Sequence, residues 1–558
     1  MLNLRIKELF SLTCCKQLMS YLTSLLLFAV LASLPLVVAS LKGINLGIGL
    51  LPTILYSLPI ISMLLLLKSK WMIISLMSVI CIGTLFEISM LLIGGSLLES
   101  GMIIAILTTT KEEATAVANS NLAVLWYLIP VLFLYVGVCA LYFRTHQPKL
   151  SIKVFLFILC FVLTSAHYTI KGADTLLIEQ QWHENAIFNR PPYRFYCKLS
   201  RAVNKIIIQK KMVDAAKNLC DFTYNATRGT VLESKEVYLF CIGESMRYEN
   251  VSMNNTYERK TTPCLENTNN IILYSNYYST ACLTMYAVPL LITPATPSTF
   301  DLTYTTRSIF APFKESGFKT FIIATKGQLL TYADRSYLSL GVDSMIIVEN
   351  DVDIIDKIDT LTELHSKCFI MSELWGSHHP YYNYPPEYEI YSPTNHTDPS
   401  KFNDEKFFIN SYDNTILYTD YILSSVIESL DKKNICSALF YTSDHGESIS
   451  NDRYGHGFEH YPTPRDKYKV EYHVPLIFWY SDEYKNIYPN KVKAVKSHSD
   501  KSVNADYVFY SLLGMADVDM SEWIDKYGLS LHNLFEDSIT LKTREILLTD
   551  GEHIMHVD

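Results

Sequence analysis

The 558-residue sequence lacks internal repeats, low-complexity tracts and any excess of positive charge. Without repeats it cannot be a solenoid or propeller array, and without biased tracts it holds no long segment that composition alone would keep unfolded. A formal net charge of -9 offers no basic field to a nucleic-acid backbone, so nucleic acid is not an expected partner. Charge is scarcest in the first third, which is nearly continuous hydrocarbon, whereas the rest reads as soluble protein. The chain exceeds one ordinary domain, and this asymmetry predicts a membrane part carrying a globular appendage.

Five stretches are apolar over about 20 residues, the length that crosses a bilayer: Leu18 to Ala39, Ile44 to Leu67, Trp71 to Ile93, Leu122 to Phe143 and Ile152 to Tyr168. Arg5, Lys7 and Lys16 precede the first, Lys68 and Lys70 lie between the second and third, and Arg144, Lys149 and Lys153 lie between the fourth and fifth. The positive-inside rule puts those three segments in the cytoplasm, so an odd number of spans leaves everything after about residue 170 outside. The first span is too long for a cleavable signal peptide and four more follow it. Between the third and fourth, Gly94 to Asn121 combines a short apolar run with Thr108-Thr109-Thr110-Lys111-Glu112-Glu113, which predicts an outer-face loop or a helix lying at the interface.

The expected organisation is therefore a transmembrane domain over 1–170, a connector over 171–235 and a catalytic α/β domain over 236–558. The connector contains Pro191-Pro192 and the basic, aromatic stretch Tyr193 to Lys211, which reads as amphipathic helix near a membrane surface. Of the 12 cysteines, Cys197, Cys220, Cys241, Cys264, Cys282, Cys368 and Cys436 fall outside the membrane part, an odd number that leaves at least one unpaired within the chain. Cys241 and Cys368 lie in strand-like runs and are expected to act as small apolar residues.

From Glu236 onward short β-rich runs alternate with longer helical or irregular segments: Val237 to Ile242, Phe318 to Ala324, Ser344 to Val348, Cys368 to Met371, Ala438 to Tyr441 and Val474 to Trp479. That alternation predicts a mostly parallel central sheet covered on both faces. Two of these runs end in carboxylates. Val237 to Ile242 leads into Gly243-Glu244, and Ala438 to Tyr441 leads into Thr442-Ser443-Asp444-His445-Gly446-Glu447. Open α/β sheets place their chemistry at such strand ends. An Asp-His pair with a distant Glu suits zinc, which accepts oxygen and imidazole ligands, and so suggests metal-assisted transfer at phosphorus. A strand-terminal carboxylate alone is often only a helix cap, but two such ends together favour a site. The hydroxyl-rich segment Ser279 to Pro289 leads into an apolar helix-like run, and a helix amino terminus or a bound metal would acidify a hydroxyl there. His378 and His379 follow the Cys368 strand, His456 follows the Asp444 strand by a short loop, and His473, just before the Val474 run, reads as structural.

In their order these motifs resemble the phosphoethanolamine transferases of Gram-negative inner membranes, which pair five amino-terminal spans with an alkaline-phosphatase/sulfatase-like outer domain. The resemblance covers nearly the whole chain. Its motifs are Gly243-Glu244-Ser245-x-Arg247, Asn255 to Pro263, Thr284 with Val288-Pro289, Gly376-Ser377-His378 with Tyr381-Tyr382 and Pro385, Tyr412 to Asp420, Ser443 to Glu447, His456-Gly457 and His473-Val474-Pro475. It implies zinc bound by Glu244, Thr284, Asp444 and His445, with Thr284 the nucleophile that becomes phosphoethanolaminylated. It further implies that His378 and His456 contact the transferred phosphate or a second zinc, and that Thr109 and Glu113 serve the ethanolamine head group. The implied partners are a phosphatidylethanolamine donor, a lipid A or other envelope glycan acceptor and membrane lipid, for a monomer in the inner membrane with its catalytic domain in the periplasm. Adding ethanolamine to lipid A phosphate would weaken binding of cationic peptides, so polymyxin resistance follows from the lipid A reading.

The sequence departs from the family in places. Many members bracket the nucleophile with a cysteine pair, where this chain has Thr280 and Leu290, with Cys282 inside the turn. Glu373 stands where many lipid A enzymes have His, and His379 replaces a usual Gly, changes that bear on the acceptor more than on the chemistry. Two other readings use the same residues: phosphoglycerol transfer or hydrolysis on this fold, and an inactive head-group-binding membrane protein, against which none of the four expected ligands is missing.

Overall fold

The computed structural model describes residues 12–557 except 45–48, 94–96, 99, 109–123, 145–146, 173–189, 332, 380, 382, 395–403, 451–452, 457–468, 528–532, 542, 549–550 and 552. Two compact units divide the chain, one comprising Met1–Thr109 and Val117–Asn204, the other Thr110–Ala116 and Lys205–Asp558.

The first unit is built from apolar helices: α1 (Leu12–Ala32), α2 (Leu34–Leu41), α3 (Leu50–Leu64), α4 (Lys70–Ile93), α5 (Ser100–Thr108), α6 (Val124–Arg144) and α7 (Leu150–Gly172). Among the described residues three helices, Cys15–Ala32, Lys70–Ile93 and Val124–Arg144, are long and apolar enough to cross a membrane, while Leu50–Leu64 and Leu150–Ala166 are shorter apolar helices at the expected second and fifth spans. The expected first span is interrupted rather than continuous. Ser33 closes α1 through N–H bonds to the Ala29 and Val30 carbonyls, and α2 starts afresh with Pro35 in its first turn, where a missing N–H costs nothing. Tyr21, Phe28, Ile61, Met77 and Tyr135 pack into one apolar cluster at the centre of this unit. Of the Gly94 to Asn121 segment the structure describes α5, with Met102, Ile103 and Ile104 buried; Thr109 and Glu113 lie outside the described residues. The basic, aromatic stretch forms α8 (Tyr193–Ala216), with Val203, Ile207 and Ile208 exposed beside Arg201, Lys210 and Lys211.

The second unit is organised by a seven-stranded sheet. Its strands are β1 (Glu236–Gly243), β2 (Ile271–Tyr274), β3 (Lys319–Thr325), β4 (Ser344–Val348), β5 (Lys367–Glu373), β6 (Cys436–Ser443) and β7 (Leu476–Tyr480), in the spatial order β2-β7-β6-β1-β5-β3-β4. β6, β1, β5, β3 and β4 run parallel, whereas β7 is antiparallel to both β6 and β2, so the sheet is mixed. β2 is a four-residue edge strand outside the six predicted runs, too short to stand out by pattern. β1 is buried along its whole length, which is why it reads as a continuous apolar run. Tyr238, Phe240 and Ile242 join one core with Val288, Leu291 and Ile292 of α9 (Thr284–Ile292). Val237, Leu239 and Cys241 join the opposite core with Ile354 and Ile358 of α10 (Asp353–Leu364) and Phe408, Tyr412 and Ile416 of α11 (Glu405–Lys432). Cys241 and Cys368 are buried free thiols in that second core, as expected of small apolar residues.

Candidate metal and nucleophile site

Register brings the chemistry together. β1 and β6 are adjacent and parallel with Gly243 opposite Ser443, so the next residues, Glu244 and Asp444, emerge side by side from the carboxyl edge of the sheet. α9 packs its apolar face on the same core and presents Thr284 at its first turn. The Thr284 hydroxyl lies 3.2 Å from Glu244 Oε2 and 3.3 Å from His445 Nε2. His445 Nε2 is also 3.3 Å from Glu244 Oε1 and 3.3 Å from Asp444 Oδ2. Glu244, Asp444 and His445 are all buried.

The cluster fits a cation. One ligand atom from each of Glu244, Asp444 and His445 lies within 4.8 Å of the others. His445 Nδ1 donates to the Gly446 carbonyl at 2.9 Å, which leaves the Nε2 lone pair facing two carboxylate oxygens and the Thr284 hydroxyl. Asp444 Oδ1 accepts from the Ser245 and His445 backbone N–H groups, but its buried Oδ2 has no hydrogen-bond partner. Burial, and then the Asp444 charge, push Glu244 well above the ordinary carboxylate range, and burial pulls His445 down to about 4. Ser245 Oγ donates to Glu244 Oε1 at 2.8 Å and Thr284 Oγ1 to Glu244 Oε2, but Asp444 Oδ2 stays buried without a donor beside the His445 Nε2 lone pair, a costly arrangement that a positive ion among them would relieve.

Second partners hold these ligands in place. Ser443 Oγ accepts from Met246 N–H at 2.7 Å and donates to the His445 carbonyl at 2.9 Å. The Gly376-Ser377 turn lies on the Glu244 backbone, with Ser377 N–H donating to Glu244 O at 3.0 Å. A Cβ at Gly376, whose φ is +53, would sit 2.9 Å from the Glu244 nitrogen, so glycine is needed for this approach. Asp351 holds the same turn by accepting from Trp375 and Gly376 N–H at 2.8 and 2.9 Å.

The two remaining site histidines differ. His456 is part of the cluster: its ring is 4.0 Å from that of His445 and its Nδ1 lies 3.3 Å from Oε2 of the buried Glu447. Burial alone would lower the His456 pKa, but the Glu447 carboxylate reverses this and brings it up to about 9. His378 follows the Ser377 contact, yet its Nδ1 bonds the His379 carbonyl at 2.6 Å and its ring lies 4.6 Å from Trp375; its tie to Glu244 runs through the neighbouring backbone. Glu447 and Asp351 had no role in the sequence reading. Glu447 stood in view within Ser443 to Glu447, whereas nothing in the Glu349-Asn350-Asp351 run marks Asp351 apart from an ordinary polar loop. His473 bonds Glu249 at 2.8 Å and stacks between Tyr248 and Tyr278 at 4.4 and 4.7 Å, a packing position. Cys197, Cys264 and Cys436 are free thiols, like Cys241 and Cys368, and Cys282 is buried two residues before Thr284.

A mixed α/β sheet with a carboxylate–imidazole–hydroxyl cluster at its carboxyl edge has the donor set of a candidate metal site with a hydroxyl beside it. The family is fixed by comparison: the Sulfatase family model matches residues 236–518, and the chain belongs to that family. Among its relatives it is 27% identical over 303 residues to "Phosphoethanolamine transferase EptA" of Escherichia coli (strain K12), covering 51% of this chain and 54% of that one. It is 29% identical over 278 residues to "Kdo(2)-lipid A phosphoethanolamine 7''-transferase" of Salmonella typhimurium, covering 47% of each. The chain thus spans about half the length of the curated relatives it matches. In fold it resembles the integral membrane lipooligosaccharide phosphoethanolamine transferase A of Neisseria meningitidis, with a TM-score of 0.69, 17% identity and coverage of 90% of this chain and 96% of that one. The periplasmic domain of EptC from Escherichia coli, solved in complex with Zn, gives a TM-score of 0.50 at 22% identity, covering 58% of this chain and 92% of that one.

Proposed function

We propose that this chain transfers phosphoethanolamine from phosphatidylethanolamine to lipid A or another envelope glycan, through a covalent intermediate on Thr284. The observation that carries the reading is the Thr284 hydroxyl within 3.3 Å of both Glu244 and His445 at the edge of a buried cation cluster. Its relatives, named as phosphoethanolamine transferases, supply the transferred group. Glu244, Thr284, Asp444 and His445 would hold a zinc ion. When bound, zinc lowers the hydroxyl pKa of a ligated threonine and offsets negative charge on phosphoryl oxygens.

In the first half, Thr284 Oγ1, its proton already released to solvent, attacks the phosphodiester phosphorus as the alkoxide, the new O–P bond forms, and the bond to diacylglycerol breaks. The departing alkoxide needs a proton. His456, anchored through Nδ1 on Glu447 and raised by it to about 9, would give it, and His378 would contact the transferred phosphate. In the second half the acceptor oxygen displaces phosphoethanolamine, the Thr284 O–P bond breaks, and the acceptor proton returns through His456. The donor is a membrane lipid, and the apolar helices of the first unit suit that. Five spans, charge-directed orientation, an inner-membrane location with a periplasmic catalytic domain over 236–558, a connector over 171–235, a monomer and head-group contacts from Thr109 and Glu113 complete the proposal.

The test is mass spectrometry of the zinc-loaded chain incubated with phosphatidylethanolamine, beside Thr284→Ala. A phosphoethanolamine adduct on Thr284, absent from the variant, is expected. Release of free phosphoethanolamine without an adduct would favour the hydrolase reading, and an adduct formed only from phosphatidylglycerol would favour phosphoglycerol transfer.

A further inference from the structure

Arg247 closes the run that carries Glu244, and its backbone is as firmly held as the ligand's. Ser245 N–H donates to Asp444 Oδ1 at 3.1 Å, Met246 N–H to Ser443 Oγ at 2.7 Å and Arg247 N–H to the Tyr412 hydroxyl at 2.9 Å. The Tyr412 hydroxyl in turn donates to the Ser245 carbonyl at 2.6 Å. Both Asp444 and Ser443 belong to the site edge, so the Arg247 Cα is tied to the same framework as the cation cluster.

Its side chain is not committed in the same way. The Arg247 Nε–H is buried without a hydrogen-bond partner, and the ion pair with Glu249 is long, at 4.0 Å, beyond hydrogen-bond reach. Glu249 makes its close contact elsewhere, 2.8 Å from His473 Nδ1. Other described arginines of this unit commit their terminal nitrogens: Arg259 donates to Asn410 and Asp413 at 2.9 and 2.8 Å, and Arg228, whose Nε–H also lacks a partner, donates through both terminal nitrogens to Glu236 at 2.7 and 3.1 Å. The Arg247 side chain keeps 17% of its surface open, so a ligand can reach it. A desolvated guanidinium N–H left unpaired costs free energy that a bound anion would remove.

We infer that Arg247 binds a phosphate oxyanion of a substrate, an assignment that rests on the transferase reading. The planar guanidinium fork matches phosphate oxygens in a way that an ammonium does not, and no proton or bond changes hands at Arg247. Phosphate is present on both substrates, as the donor diester and as the acceptor monoester of lipid A, so the two half-reactions separate the sources.

The experiment follows Thr284 adduct formation from phosphatidylethanolamine, then adduct discharge to lipid A or, with no acceptor added, to water, in the zinc-loaded full chain and in R247Q and R247K. Adduct formation slowed about tenfold in R247Q assigns the donor phosphate. Normal formation with an accumulating adduct, discharged about tenfold more slowly to lipid A but unchanged toward water, assigns the acceptor phosphate. In either case R247K recovers only part of the rate, because it keeps the charge and loses the fork. Wild-type rates in both steps overturn the inference, as does uniform slowing accompanied by lost zinc and a lowered melting temperature. A wild-type chain that forms no adduct overturns the transferase reading and this inference with it; a wild-type adduct with R247Q unchanged overturns the inference alone.

Discussion

Among single residues the Glu447–His456 pair is where the proposed proton transfer is open to test by pH. His456 stands at about 9 when folded, above its usual value of about 6.5, because the Glu447 charge outweighs burial. Glu447, although burial would raise it, is held below its ordinary value by the charge on His456 and the hydrogen bond to it. By linkage, the stabilisation from His456 is fully present below about pH 6.5 and disappears as pH rises through about 9, while that from Glu447 is present above about pH 4.3 and fades as pH falls below it. If His456 donates the proton, the alkaline limb of the rate profile lies near 9, and Glu447→Gln moves it toward about 6.5. A pH profile of adduct formation checks this; an alkaline limb that stays in place in the variant would separate His456 from the proton transfer.

For the elements of the sheet, what matters is the fit of the Gly376-Ser377 turn onto the end of β1. A Cβ at position 376 would meet the Glu244 nitrogen at 2.9 Å in a left-handed backbone, so Gly376→Ala must push the turn off the strand end or strain it. The cost expected is ~2 kcal/mol of stability. Because Glu244 shifts with the turn, zinc affinity falls together with the melting temperature. Competition against a chromophoric chelator reads the first and a thermal melt the second, and an unchanged affinity would show that the turn does not position the ligand.

Across the whole molecule, folding itself gathers like charges. Glu244 and Asp444 come from strands about 200 positions apart in the sequence and are buried together, which the metal-free chain can relieve only by holding a proton. A cation that binds the folded chain and not the unfolded one stabilises it by roughly 2.7 kcal/mol when free metal exceeds Kd about a hundredfold. Chelation is therefore expected to lower the melting temperature of the second unit's transition and zinc to restore it, while Asp444→Asn blunts the response. A melt indifferent to chelator would argue that the cluster is held by protons alone.

Much of this protein was legible in the order of its residues. Apolar length marked the helices of the first unit, because a span must bury every backbone group in hydrocarbon. Fully buried strands such as β1 and β6 marked the sheet, and the carboxylates just beyond them marked its active edge. Local pattern could not show that Ser33 and Pro35 would break the first helix, nor that Ile271–Tyr274 would add an edge strand, since these depend on what each segment packs against. Nor could it place Glu447 under His456, Asp351 under the Gly376 turn or Arg247 on a pinned backbone with an unpaired Nε–H. The sequence by itself determined which side chains stand at strand ends and at the start of α9, because those follow from local periodicity. Only the tertiary structure decided which of them meet, because register between distant strands and burial of the groups between them set distances and charge states that no stretch of sequence contains.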